Sequence, residues 1–207
     1  GADPNATDKF GMTPLHHATL KANGDTIEEL FDGGADPNAK ITGGSLDGLT
    51  SLHLAVLRNE VETAGELLRS SYQYTTDVNA RDNSGRTALH WALIAKSTEA
   101  IKLLLNKGAD PNLKDNDGWT PLHRAAENGD VEVCKALCES GAHVNAKDKD
   151  GWTPFDYVLE DKKDEFTFLT ATQDLLAQFQ QPNPDLNSVK TAITSGAVLS
   201  ARDEVGY

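Results

Sequence analysis

Residues 115–123 read Asp115-Asn116-Asp117-Gly118-Trp119-Thr120-Pro121-Leu122-His123. Asp favours the first position of a tight turn and Gly accepts positive φ, so Asp115 to Gly118 predicts a turn tip. Thr120 suits a helix N-cap and Pro121 the first helical position, where a missing N–H costs nothing, so a helix is expected to start directly after Trp119. The tetrad Thr-x-Leu-His recurs at Thr13-Pro14-Leu15-His16, Thr50-Ser51-Leu52-His53 and Thr87-Ala88-Leu89-His90, and an altered copy stands at Thr153-Pro154-Phe155-Asp156. Successive starts are 37, 37, 33 and 33 residues apart. Asp8 to Gly11, Asp82 to Gly85 and Asp148 to Gly151 repeat the turn ahead of it. A fixed period means one stacked array in which each unit buries its apolar face on its neighbours.

Each first helix pairs a Leu with a small residue three positions on, at Leu15/Ala18, Leu52/Ala55, Leu89/Ala92 and Leu122/Ala125, an inward stripe that permits close helix approach. A second helix follows, with apolar columns Ile27/Leu30/Phe31, Ala64/Leu67/Leu68, Ile101/Leu104/Leu105 and Cys134/Leu137/Cys138. Gly34, Ser71, Gly108 and Gly141 stand where a left-handed C-terminal cap belongs. This period and tetrad resemble the ankyrin repeat. The resemblance implies an all-α solenoid of helix-turn-helix units with β-hairpin or turn fingers, about five repeats plus partial terminal ones. It also implies that the tetrad His belongs to the hydrogen-bonding scaffold, and that finger tips and the exposed face of the first helices form a concave binding surface.

Departures from a strict 33-residue period locate the irregularities. Four extra residues, about Ile41 to Gly44, are expected at a finger tip, and four more within Tyr72 to Thr75 after a second helix. Asp185 to Ala197 aligns without gaps on Asp130 to Ala142, leaving a surplus of 22 residues in Glu160 to Pro184. The expected organisation is therefore regular repeats over 1–159, with units starting near Asp8, Ser45, Asp82, Asp115 and Asp148, an irregular helical insertion over 160–184 and a partial repeat over 185–207. The chain begins in mid-repeat without Met and ends one residue before the next tetrad is due, which predicts an excerpt of a longer protein.

The formal net charge is −13, with residues 87–127 neutral and no basic stripe anywhere. That balance argues against nucleic acid or anionic lipid and for a protein partner that is basic or neutral. No stretch approaches the ~18 apolar residues of a membrane span, so no membrane insertion is expected, and a monomer is the expected state. Cys134 and Cys138 lie one helical turn apart, which rarely suits a disulfide, and an intracellular, cytoplasmic location is the default; delivery into another cell stays open.

Candidate chemistry is sparse. His16, His53, His90 and His123 have no second ligand at metal spacing, and Asp115 to Gly118 and Asp148 to Gly151 fail the calcium-loop pattern at its first and twelfth positions. No catalytic motif, cofactor or metal site is expected. The informative variation lies between turn and tetrad, where Met12, Leu49, Arg86, Trp119, Trp152 and Tyr207 stand, and directly after the tetrad, where His17, Leu54, Trp91, Arg124 and Tyr157 stand. Aromatic residues and Arg are the types enriched at binding hot spots. The expected partner-binding set is Phe10, Met12, Leu49, Arg86, Trp91, Trp119, Arg124, Trp152 and Tyr157. The expected function is non-catalytic protein binding; the alternative is a targeting or substrate-recruiting array of a larger enzyme or secreted effector whose active site lies elsewhere.

Overall fold

The computed structural model describes residues 2–69, 75–164 and 166–167, and it divides into two compact units between Pro121 and Leu122. In the first unit, Thr13, Thr50 and Thr87 take extended backbone and cap the helices α1 (Pro14–Leu20), α3 (Ser51–Leu57) and α5 (Ala88–Ile94). Each is paired with a second helix: α2 (Gly24–Asp32), α4 (Val61–Leu67) and α6 (Thr98–Asn106). First helices pack on first helices, α1 on α3 and α3 on α5, while α2 packs on α4 and α4 on α6. Two layers result. Leu15, Leu52 and Leu89 are fully buried between them together with Ile27, Leu67, Ile101 and Leu104, each burial contributing about 2 kcal/mol before entropy is charged against it. The small residue of each stripe, Ala18, Ala55 or Ala92, is buried where the helices meet.

Turns between the helices of a pair use a left-handed residue, Ala22, Asn59 and Lys96 in the first unit, at φ +50, +58 and +54. The second helices end at Gly34 and Gly108, with φ +90 and +85, as a left-handed cap requires. Asparagines of the outgoing turns staple one repeat to the next: Asn5, Asn38 and Asn79 accept the backbone N–H of Asp36, Asp77 and Asp110 at 2.7–2.8 Å.

The second unit contains α7 (Pro121–Asn128), whose first residue closes the first unit, and α8 (Val131–Glu139). Its core includes Leu122, Ala125, Val133 and Leu137, and Cys134 and Cys138 are buried free thiols in that core.

The fingers are turns, and the structure departs from the sequence expectation in the fifth unit. The fingers contain no β-strand among the described residues. Their stems close on one backbone rung, Asp8 N–H to Met12 O, Asp82 N–H to Arg86 O, Asp115 N–H to Trp119 O and Asp148 N–H to Trp152 O, at 2.8–3.0 Å, beside a tip bond from the turn Gly N–H to the Asp carbonyl at 3.0–3.2 Å. One such rung is too short to make a ladder. The fifth tetrad opens a 3₁₀ turn, Pro154–Tyr157, rather than an α-helix. Val158 stands where earlier units have Ala, and its backbone is already extended; a β-branched residue does not fit the close approach that Ala permits. Most of the expected second loop insertion, most of the 160–184 insertion and the 185–207 repeat lie outside the described residues. Of the insertion, a 3₁₀ turn at Glu160–Lys162 is described, and Phe166 is buried with its ring 6.1 Å from that of Phe155.

Candidate protein-interaction surface

The tetrad side chains face inward, and their geometry shows why. In the first three units, Thr N–H donates to His Nδ1 at 3.0–3.2 Å. That contact makes Nδ1 an acceptor, so the proton sits on Nε2. Nε2 then donates to a carbonyl of the following unit: His16 to Ala39 O at 3.1 Å, His53 to Arg86 O at 3.2 Å and His90 to Trp119 O at 3.1 Å. In the second unit His123 Nε2 reaches Trp152 O at 3.2 Å. Burial lowers the pKa of His16 and His90 below the ordinary 6.5, and that of His53 to about 4, against the opposing pull of the carbonyl each one binds. Such imidazoles are neutral crosslinks and unsuited to proton transfer at neutral pH. Asp156 replaces the fifth His and reproduces only the local half of its bonding, since its carboxylate accepts from both Thr153 N–H and Thr153 Oγ at 2.7 Å.

A second lock fixes three of the fingers to their own first helices. The turn Asp accepts two backbone N–H groups with Oδ1, Phe10 and Met12 on Asp8, Ser84 and Arg86 on Asp82, Asp150 and Trp152 on Asp148. Its Oδ2 takes the side chain that follows the tetrad: His17 Nε2 on Asp8 and Trp91 Nε1 on Asp82, both at 2.9 Å, and Tyr157 OH on Asp148. The carboxylate is thus fully used, and the hydrogen bond from Met12 N–H heads the causes that hold the Asp8 pKa below its ordinary value. At Asp148 burial works the other way, but the Tyr157 hydroxyl and the two N–H groups outweigh it. Asp82→Asn is expected to cost about 1–2 kcal/mol, because the amide would turn a donor toward one of the N–H groups now satisfied. Urea unfolding reads the loss, and the NMR shift of the Trp91 indole proton reads the lock; an unmoved indole resonance would contradict it.

The expected binding residues divide into three groups. Phe10 and Trp152 are 56% and 52% exposed, Phe10 with Lys9 Nζ 5.0 Å above its ring. Arg86, Trp91, Trp119, Arg124 and Tyr157 are half-buried. Met12 and Leu49 are not on the surface: at 8% and 4% exposure they form a small core with Ile41 and Leu54, edged by Leu20, Leu46 and Trp91. The extra residues of the second finger cause this. Ile41 N–H bonds Leu49 O and Gly48 N–H bonds Ile41 O, a wider loop that drops Ile41 over Met12. The fit is close, since a Cβ on Gly11 at φ +73 would lie 2.6 Å from the Thr42 backbone nitrogen. Met12 and Leu49 therefore leave the set of candidate contacts. Tyr207 lies outside the described residues.

Three exposed apolar residues, Leu57, Ile94 and Leu159, are missing from the sequence-based set. Leu57 and Ile94, 36% and 38% exposed, occupy the same place on α3 and α5, seven residues after the tetrad Thr. That register alone would have found them. In the second unit Leu159 is 54% exposed.

Among the described residues no group of three His, Cys, Asp or Glu could hold a metal ion. Burial pushes the Cys138 thiol up to about 12 and Cys134 higher, leaving both un-ionised and inert as nucleophiles.

Comparison with known proteins agrees with these repeats. The transient receptor potential channel pyrexia of Drosophila melanogaster is 54% identical over 37 residues, which are 18% of this chain and 4% of that protein. A family model for ankyrin repeats, spanning three copies, matches at residues 1–82, 21–115, 52–148 and 96–176. With the tetrad imidazoles bridging repeat to repeat and the match extending through residue 176, the chain belongs to the ankyrin-repeat family.

Proposed function

We propose that this chain is a non-catalytic protein–protein interaction module whose contacts come from the fingers and the outer face of the first helices. Ankyrin repeats are generally modules of this kind and typically lack catalysis. The observation that carries the reading is the exposure of Phe10, Leu57, Ile94 and Trp152 on a scaffold whose turn Asp, tetrad His and outgoing-turn Asn side chains are used internally. Large apolar side chains left outside such a scaffold are available to a partner. The net charge of −13 favours a partner that is basic or neutral overall and disfavours nucleic acid. Among the described residues no helix is long and apolar enough to cross a membrane.

The test compares proteins retained from a lysate by the intact chain and by the double variant Trp119→Ala/Trp152→Ala. Retained partners are expected to be lost with the variant while its melting temperature moves by no more than a few degrees, because Trp152 is half-exposed and Trp119 partly so. Unchanged retention would count against the reading. A second reading is that the array recruits substrates or targets for a larger enzyme or secreted effector. What favours it is that a 37-residue likeness falls inside a channel protein of which it is only 4%. The residues flanking this chain in its gene decide between the two.

A further inference from the structure

Charge is sorted by layer over the first two helix pairs of the first unit. Helix α2 carries Asp25, Glu28, Glu29 and Asp32 with no cation, and α4 carries Glu62 and Glu66. The first helices α1, α3 and α5 contain no acidic residue. Exposed Lys21 and Arg58 cap α1 and α3, and the exposed Leu57 and Ile94 sit on packed neighbours α3 and α5. Trp91 lies one turn before Ile94 on the same helix face. The Arg86 guanidinium stands 5.7 Å over the Trp91 ring.

Arg86 is under-used. Its Nε is buried without a hydrogen bond, its nearest carboxylate oxygen, Asp115 Oδ2, is 3.9 Å away, and its remaining guanidinium N–H groups donate to none of the described residues. Asp82, beside it, already accepts from Ser84 N–H, Arg86 N–H and Trp91 Nε1. A planar fork with unspent donors, seated on an indole, matches a carboxylate in shape and charge.

We propose that this face of the first unit takes an acidic, apolar peptide segment of a partner protein: one carboxylate on the Arg86 fork, aliphatic side chains over Leu57 and Ile94, and a further carboxylate toward Arg58 or Lys21. The proposal rests on the reading of the chain as a protein-binding module and specifies its partner's chemistry. A basic segment would set cation against cation here and is directed instead to the acidic second-helix layer. A partner of neutral or basic overall charge can still present such a segment.

The test selects displayed random peptides of about twelve residues on the intact chain, then titrates the enriched sequences as synthetic peptides by calorimetry. Enriched peptides are expected to combine Asp or Glu with Leu, Ile or Phe. Binding is expected to weaken roughly tenfold with Arg86→Gln, with Leu57→Ser/Ile94→Ser, and with Glu→Gln in the peptide. Should Arg86→Gln unfold the chain, Arg58→Glu, at an exposed position, replaces it and predicts the same direction. Enrichment of basic peptides, indifference to these substitutions or no enrichment overturns the proposal. Peptides lost with Trp119→Ala/Trp152→Ala but indifferent to Arg86 would overturn it while leaving the broader interaction reading intact.

Discussion

His53→Ala is expected to lower the unfolding free energy by about 3 kcal/mol, although the residue is nowhere near the exposed surface. The imidazole is fully buried. It accepts the Thr50 N–H at 3.2 Å, stands 2.8 Å from Thr50 Oγ, and bonds the Arg86 carbonyl at 3.2 Å. Removing the ring orphans a backbone N–H on one repeat and a carbonyl on the next, each worth on the order of 1–3 kcal/mol when buried, and leaves a cavity between them. Relaxation of the finger recovers part of that. His17→Ala is the matched control: its ring is half-exposed and its hydrogen bond goes to the Asp8 carboxylate, so its cost should stay below about 1 kcal/mol. Urea unfolding of the two variants measures the contrast. Equal losses would mean that the inter-repeat hydrogen bond is not what the tetrad supplies.

The same contrast explains what is legible in the sequence alone. Helix starts were legible because capping is local: Thr followed by Pro or a small residue dictates the N-terminus within one turn, and the observed first helices of the first unit begin where Thr13, Thr50 and Thr87 require. The carbonyl that each imidazole binds lies 23–33 residues away, and no local rule connects the two; only the family resemblance suggested a partner between repeats. Surface was the harder matter. An apolar residue after a turn looks the same whether it meets solvent or a neighbour, and Met12 and Leu49 proved buried because a wider loop placed Ile41 beside them. The signal was present, since Ile41 is an isolated aliphatic in an otherwise polar Lys40-Ile41-Thr42-Gly43-Gly44 run. Trp91 and Tyr157 were legible as aromatic, but not as ligands of aspartates nine residues upstream. That lock needs the finger folded back on its helix. Leu57 and Ile94 went unnoticed because a leucine late in an amphipathic helix is usually core.

Acid should weaken the fold in two separable steps, and the first belongs to the histidines. In the unfolded chain an imidazole takes up its proton near 6.5, whereas burial in the fold holds His53 neutral down to about 4 and depresses His16 and His90 as well. Between those values the unfolded state binds more protons than the native one, so stability rises with pH there. It is complete above about 6.5 and is progressively lost as pH falls toward 4. For His53 alone the loss is on the order of 3 kcal/mol, and His16 and His90 add to it. The field around His53 limits the effect without reversing it: Asp82 and the Arg86 carbonyl favour the protonated ring, Lys40 opposes it, and burial exceeds them all. The aspartates Asp8, Asp148 and Asp156, whose pKa values lie below the ordinary 3.8, contribute a second loss only below that value. Urea midpoints measured from pH 7.5 to pH 3 should therefore fall first across the histidine window. His53→Ala should be less stable at neutral pH yet lose less between 6.5 and 4, its slope reduced by about one proton. A profile flat from 7 to 4 would mean that the imidazoles take up protons in the fold as readily as in the unfolded chain, despite the Thr N–H that each Nδ1 now accepts.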